Sequence, residues 1–396
     1  MTTLHRRMRA RDIHESHRVS TPLELIFDLT FVVGVSALVT EFARAIVEGR
    51  APAAIGPFFM TFFAIWWAWN QFTWLASGYD ADDVVYRILT LAQMGGVLVI
   101  AAGVPAAFQR DDWVPVTIGY AIMRVALILL LARAWREDPE SAGVIGRYVV
   151  GVGVVQALWL GRLLLPHAWT QPTFPVLAVL EILVPLWADR AGGVRWHPHH
   201  IAERLGLFTI ILLGECVYVV SNAVRDALRT VDLGAPLVVV AVCGLVLLFV
   251  LWWLYFSEPT AEGLERRRDR AFYWAYGHYF VYASLAAVGA GLDVLVVMVS
   301  QGGEVPPPVA AGSLAWPVAA YLVLLWAVHA PLVRRTTVHP LATWLAALLI
   351  AAAPLAADAV GVLWVTVAVT VLAAALLAVM LASEAARAGG STSTAG

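Results

Sequence analysis

The sequence predicts an all-α, polytopic transmembrane helical bundle, and three observations carry that prediction. Hydrophobic residues make up 61% of the 396 and charged residues only 14%, with a mean hydropathy of +0.77. That balance lies outside the range of soluble domains. Apolar runs of about 20 residues, the length that crosses a hydrocarbon core about 30 Å thick, recur along the chain. The segments between them are short and hold helix breakers such as Gly302, Gly303, Pro306 to Pro308 and Pro340.

Taken in order, the runs give about twelve spans. The first, 22–47, opens with Thr21, Pro22 and Glu24, the order of a capping box with proline at the first helical position. The second, 54–76, is thick with tryptophan; the third, 84–108, follows an aspartate-rich loop. The fourth, 114–135, carries Arg124 inside it, and the fifth and sixth, 144–165 and 174–188, carry Gln156 and Glu181. The seventh, 201–224, holds Glu215, and the eighth, 235–256, ends in Trp252-Trp253-Leu254-Tyr255-Phe256. The ninth, 271–299, is the longest and contains Trp274, Tyr276 and His278. The last three are 313–332, 341–355 and 360–381; residues 356–359 alone separate the final pair, so the pattern also admits eleven. The tail 389–396, rich in Gly, Ser and Thr, is expected to be disordered.

Arginine placement sets an expected orientation. Every basic residue is arginine; with the N-terminus inside, nineteen fall on the inner side, six on the outer side and Arg124 within a span. Both termini are therefore expected in the cytoplasm. Reading the first span as a cleaved signal peptide, ending at Ala43-Arg44-Ala45, is disfavoured because Glu24 and Asp28 interrupt its apolar stretch. The net charge of −2, with no basic patch, argues against nucleic acid as a partner. Cys216 and Cys243 both fall in apolar runs and suggest packing rather than a disulfide or a zinc site.

The expected organisation is a cytoplasmic arm, 1–20, then two six-span halves, 21–190 and 191–388. Trp66-Trp67-Ala68-Trp69-Asn70 in the second span is echoed by the aromatic end of the eighth, and Glu24 by Glu203, which admits two parallel repeats.

Several of these stretches together carry a family resemblance. Thr21-Pro22-Leu23-Glu24-Leu25 with Phe27-Asp28-Leu29, Tyr79-Asp80-Ala81-Asp82-Asp83 with Tyr86-Arg87, Glu203-Arg204-Leu205-Gly206-Leu207-Phe208 with Leu213-Gly214-Glu215, and Trp274-Ala275-Tyr276-Gly277-His278 resemble the bacterial low temperature requirement A family. The resemblance covers most of the chain from about Ser20 onward. It implies an integral membrane protein linked by name to growth in the cold, and brings no biochemical activity with it, so a site has to be argued from the residues.

Acids inside membrane spans cost roughly 2.5 to 3.5 kcal/mol each on insertion scales, which makes Glu215 the leading candidate. It lies roughly 18 Å along the helix from Glu203 and suits a proton relay or a contact for substrate. Asp28 sits one turn beyond the cap residue Glu24, with Arg87 or Arg270 as expected partners. Arg124 is the expected internal cation for Glu215, and His278, Gln93 and Asn70 are further polar candidates. Trp66, Trp67, Trp69, Trp253, Trp274 and Tyr276 are candidate cavity walls, set against membership of interfacial belts. Two metal patterns are weak. Asp80, Asp82 and Asp83 suit Mg²⁺ with a diphosphate, and His199 and His200 precede Glu203 by four and three residues, but a solvated loop and a solvated helix start account for both.

Three function classes follow: a proton-linked transporter or permease for a small solute, an intramembrane enzyme on a lipid or isoprenoid substrate using Mg²⁺, and a membrane stress-adaptation protein without turnover. Outside the enzyme reading no cofactor is indicated. The expected partners are the lipid bilayer and an unknown small solute or lipid-like substrate, and oligomeric state leaves no trace in the sequence.

Overall fold

A computed structural model describes residues 4–11, 19–192, 196–230, 234–301, 305–333, 336–337 and 339–392, with backbone alone for 223, 226–230, 301 and 388–392. Among these residues the secondary structure is helical throughout, with no strand. The helices are α1 (Pro22–Val47), α2 (Ala51–Gly78), α3 (Val84–Arg110), α4 (Val114–Glu137), α5 (Ala142–Arg162), α6 (Thr170–Ala188) and α7 (Pro198–Thr230). They continue as α8 (Ala235–Phe256), the short α9 (Thr260–Arg266), α10 (Ala271–Gln301), α11 (Pro307–His329), α12 (Pro340–Ala352), the short α13 (Ala357–Val360) and α14 (Val362–Thr392). Twelve helical stretches among the described residues are long and apolar enough to cross a membrane. The eleven-span alternative falls away because Gly361, with a φ of +89°, breaks the chain between α13 and α14. The tail differs from expectation: α14 runs on to Thr392, and 393–396 lie outside the described residues, as do Arg18, Arg195, Arg334, Arg335, Gly302 and Gly303.

Local sequence explains the helix ends. Prolines occupy the first turns of α4, α8, α11 and α12, where an amide proton would lack a partner anyway. Asp83 caps α3, its side chain accepting from the Tyr86 amide. At the other end of α3, Asp111 takes a left-handed φ of 52° and turns its amide back to the Ala106 carbonyl.

The chain divides into two compact units: residues 1–38 with 56–204, and 39–55 with 205–396. In the first, α3 packs on α4, α4 on α5 and α5 on α6. The α3–α4 contact is a backbone approach: a Cβ on Gly119 would lie 2.6 Å from the Gly96 carbonyl oxygen and from the Ile100 nitrogen. In the second, α10 packs on α11, α11 on α12, and α14 on α8. Gly291 allows the α10–α11 approach, since a Cβ there would meet the Ser313 carbonyl oxygen. Outward faces carry Leu98, Val125, Leu129, Phe249, Leu348 and Val371, the surface a hydrocarbon solvent requires.

Candidate functional site

The first unit buries two carboxylate clusters. In one, Glu24 and Asp28 lie a turn apart on α1, and His200 and Arg204 a turn apart on α7, so two i, i+4 pairs face each other. All four side chains are at most 2% exposed. His200 Nε2 and Arg204 Nη1 each lie 3.1 Å from Glu24 Oε1. Arg204 Nη2 donates to Asp28 Oδ1 at 2.6 Å, and Trp69 Nε1 donates to the same oxygen at 2.7 Å. Glu24 also closes the capping box: its carboxylate accepts from the Thr21 amide at 2.7 Å, and its own amide donates to the Thr21 hydroxyl at 3.3 Å. Capping and ion pairing are thus functions of one side chain. Asp28 takes Arg204 rather than the expected Arg87 or Arg270, because Arg87 closes on Asp82 at 2.8 Å and Arg270 on Asp269 at 3.3 Å.

The second cluster surrounds Glu181 of α6, which is fully buried. Its Oε1 accepts from the Tyr120 hydroxyl (2.9 Å) and Trp159 Nε1 (3.1 Å), and its Oε2 from Trp67 Nε1 (3.0 Å) and Arg124 Nη2 (2.6 Å). Arg124 therefore has Glu181 as its carboxylate partner, not the expected Glu215. Among the described residues, Arg124 Nε and Nη1 and both polar atoms of the Gln156 amide have no hydrogen-bond partner. Trp67 and Trp69 sit two residues apart, roughly 200° around α2, so α2 serves one carboxylate from each side. Trp66 is buried beside them. Asn70, also buried, accepts from Trp74 Nε1 at 3.3 Å, and Gln93 is buried on α3 with Nε2 unpartnered among the described residues.

The aspartate loop belongs to the same unit and is more tightly held than a solvated loop. Asp83 is fully buried, with Arg133 on both oxygens (2.9 and 2.5 Å) and the Arg6 amide at 2.8 Å. Burial pushes the Asp83 carboxyl up, but Arg133 and the Tyr86 and Arg6 amides outweigh it and hold the carboxyl far below the usual carboxylate range. Asp138 is held down in the same way, burial being outweighed by bonds led by the Tyr79 hydroxyl at 2.7 Å. Asp80 pairs with Arg11 at 3.6 Å, and Met8 of the arm donates its amide to Glu137 at 2.6 Å. Of the histidine pattern, His199 is exposed, His200 is committed to Glu24, and Glu203 accepts from the Ser20 amide at 3.3 Å. Among the described residues no three His, Cys, Asp or Glu side chains come together as a metal site.

In the second unit Glu215 is buried at 3% exposure, next to Cys216, whose thiol faces the Leu285 carbonyl at 3.6 Å. His278 is fully buried: its Nδ1 lies 2.7 Å from the Trp274 carbonyl and its Nε2 3.1 Å from the Tyr255 hydroxyl, with the Trp274 ring at 4.4 Å. Tyr276 is half-buried. Trp253 does not line a cavity; it is 47% exposed, because α8 buries the stripe Val240, Gly244, Leu247, Leu251 and Leu254 and Trp253 falls off it. Trp252 shares that outward face, so the echo of the second span does not extend to burial.

Arg204, Tyr120 and Trp159 were not among the sequence-derived site residues, and Glu181 stood there only as one polar residue among several inside spans. The signal for Arg204 was present: His200 and Arg204 repeat the i, i+4 spacing of Glu24 and Asp28 with opposite sign.

Twelve helical stretches among the described residues that are long and apolar enough to cross a membrane, with buried, arginine-matched carboxylates in the first unit, define a multi-pass helical membrane protein. The family model described as bacterial low temperature requirement A protein (LtrA) matches residues 19–381, and the chain belongs to that family. It is also similar to an uncharacterized protein of Rhizobium meliloti (strain 1021), with 27% identity over 288 residues that cover 68% of each chain.

Proposed function

We propose that the chain is a proton-linked transporter or permease of the bacterial cytoplasmic membrane, with the Glu24, Asp28, His200 and Arg204 cluster as the group that takes up and releases the proton. The carrying observation is a charge imbalance. Among the described residues, the charged neighbours of Glu24 are Arg204 and His200, and those of Asp28 are Arg204 and Glu24. Among the described residues the two carboxylates thus share one permanent cation, and in this reading His200 is the group that balances the second when it carries a proton. A net charge sealed from water is costly, so the cluster favours holding one proton, and giving it up requires access to water. The Glu181 cluster has no such imbalance, since Arg124 matches it one to one. Glu215, buried in the other unit, is the second acid in this reading, assigned to the small solute.

The intramembrane-enzyme reading draws no comparable support, because Asp80, Asp82 and Asp83 are engaged by Arg11, Arg87 and Arg133. The test is proton flux in proteoliposomes with a panel of small solutes. Wild type should carry protons with one of them, Asp28→Asn and His200→Gln should lose the flux, and Glu215→Gln should lose solute dependence. Wild-type flux in Asp28→Asn would remove the cluster from the role.

A further inference from the structure

The first unit holds a further polar feature that shares no residue with the proton cluster. A partly open cavity of about 20 Å³ has a wall that is apolar except for Trp113, Thr117, Tyr120, Trp159 and Arg162. That is room for one occupant the size of a water molecule or slightly larger. Arg162, the last residue of α5, is only 3% exposed. Its guanidinium carbon lies over three rings, 5.5 Å from the centre of Phe174, 5.6 Å from Trp159 and 5.9 Å from Trp113, which fix it in place. Its Nε and Nη2 both donate to the Thr170 carbonyl, at 2.8 and 2.5 Å. A guanidinium carries five N–H groups, so two on Nη1 and one on Nη2 remain, and among the described residues they meet no acceptor. Nor does a carboxylate oxygen lie within 4.0 Å of the guanidinium among those residues. The acid that acts on it from further away is Asp111, whose side chain is 27% exposed and accepts from Trp113 Nε1 at 2.5 Å and Gln171 Nε2 at 3.1 Å, with His167 Nε2 at 3.2 Å. The remaining polar groups of the wall carry no charge. Trp159 and Tyr120 spend their protons on Glu181, and the Thr117 hydroxyl makes no hydrogen bond among the described residues.

We propose that this cavity is a binding site for a small monovalent anion of about the size of chloride. A cation is excluded, because a permanent positive charge borders the space and already covers the ring faces. Water fits by size but leaves a buried guanidinium without a close counter-ion. An anion supplies that charge and accepts from the unspent N–H groups and the Thr117 hydroxyl at once. The inference stands apart from the proton cluster, since it concerns binding and requires no transport.

The test is thermal unfolding of the full chain in detergent micelles, at fixed pH and ionic strength, with sodium chloride, sodium bromide or sodium gluconate. Chloride and bromide should raise the midpoint in a saturable way over gluconate, which is too bulky for the cavity. Arg162→Gln should weaken the apparent chloride affinity at least about tenfold, the loss of a hydrogen bond to a charged group. Ala64→Val, which adds bulk to the wall and leaves the guanidinium in place, should also weaken it. Equal midpoints in the three salts, or an unchanged chloride response in Arg162→Gln, would overturn the proposal and leave water as the occupant. If Arg162→Gln does not fold, Ala64→Val gives the reading, and an unchanged chloride response there overturns it. Because the readout is binding in micelles, failure here is distinguishable from failure of the proton-flux test.

Discussion

Replacing Glu181 with glutamine tests the buried electrostatics most directly. Oε1 accepts two donors, from Tyr120 and Trp159, and Oε2 accepts two, from Trp67 and Arg124. A glutamine keeps one oxygen and turns the other into an NH₂ donor. The least costly placement keeps the oxygen toward Arg124 and Trp67 and lets the Tyr120 hydroxyl rotate to accept. Trp159 N–H then faces a donor, at a cost of about 1–3 kcal/mol for a buried unsatisfied group. The larger loss is the charge: Arg124, fully buried, no longer has a counter-ion, and breaking a buried pair from one side costs about 3–5 kcal/mol. We expect Glu181→Gln to destabilise by at least about 3 kcal/mol, read as reversible unfolding in mixed micelles. The double replacement Arg124→Leu with Glu181→Leu removes both charges and should be less damaging than either single change, with a coupling of at least about 2 kcal/mol. Additive single effects, or a Glu181→Gln cost below about 1 kcal/mol, would refute the account of Glu181 as a matched buried pair.

Two further outcomes follow from geometry elsewhere in the first unit. Asp83 and Asp138 have carboxyls held below their ordinary value, so the stability they supply is present above the unfolded-state value near 3.9 and is lost as pH falls below it; Asp83→Asn should flatten the acid side of a midpoint-against-pH curve, and an unchanged slope counts against the Arg133 and amide contacts as its cause. Gly119→Ala must push α3 from α4, because the new methyl meets backbone at 2.6 Å, and should cost about 1–3 kcal/mol, whereas Gly153→Ala, with nothing within 4 Å, should be neutral or stabilising; equal midpoints for the two variants would contradict the close approach.

The membrane class, the spans and the capping box were legible because each rests on local rules: run length for the spans, and a three-residue spacing for Thr21 and Glu24. Pairings across helices were not. The sequence argument offered Asp28 two arginines, Arg87 and Arg270, and the choice of Arg204 instead depends on which face α7 turns inward, a property of packing rather than of composition. Glu181 shows the same limit. It stood among other polar residues in spans, and nothing along the chain announces that Trp67, Tyr120, Arg124 and Trp159, from three other helices, converge on it. Trp253 failed for the converse reason: a tryptophan doublet reads alike whether it faces a core, as Trp66 and Trp67 do, or the surrounding solvent. What separates them is the helical phase of the neighbouring buried stripe.

The tryptophans of α2 link the two clusters in kind while charge separates them in role. Trp67 and Trp69 each spend an indole N–H on a buried carboxylate, so each acid has a donor that does not change its charge. What differs is the balance of ions. Around Glu181 the count is closed by Arg124, and no change of protonation improves it. Around Glu24 and Asp28 one guanidinium among the described residues serves two acids, and in the proposed reading the count closes with a proton. A neutralising substitution should therefore act oppositely at the two places. Glu181→Gln leaves an unmatched buried cation and should damage the fold. Asp28→Asn leaves Arg204 matched by Glu24, keeps the side-chain oxygen available to Trp69, and should fold while no longer requiring the extra proton. A variant pair in which Asp28→Asn unfolds and Glu181→Gln is silent would invert this assignment, and with it the case for the Glu24–Asp28 cluster as the proton-carrying one.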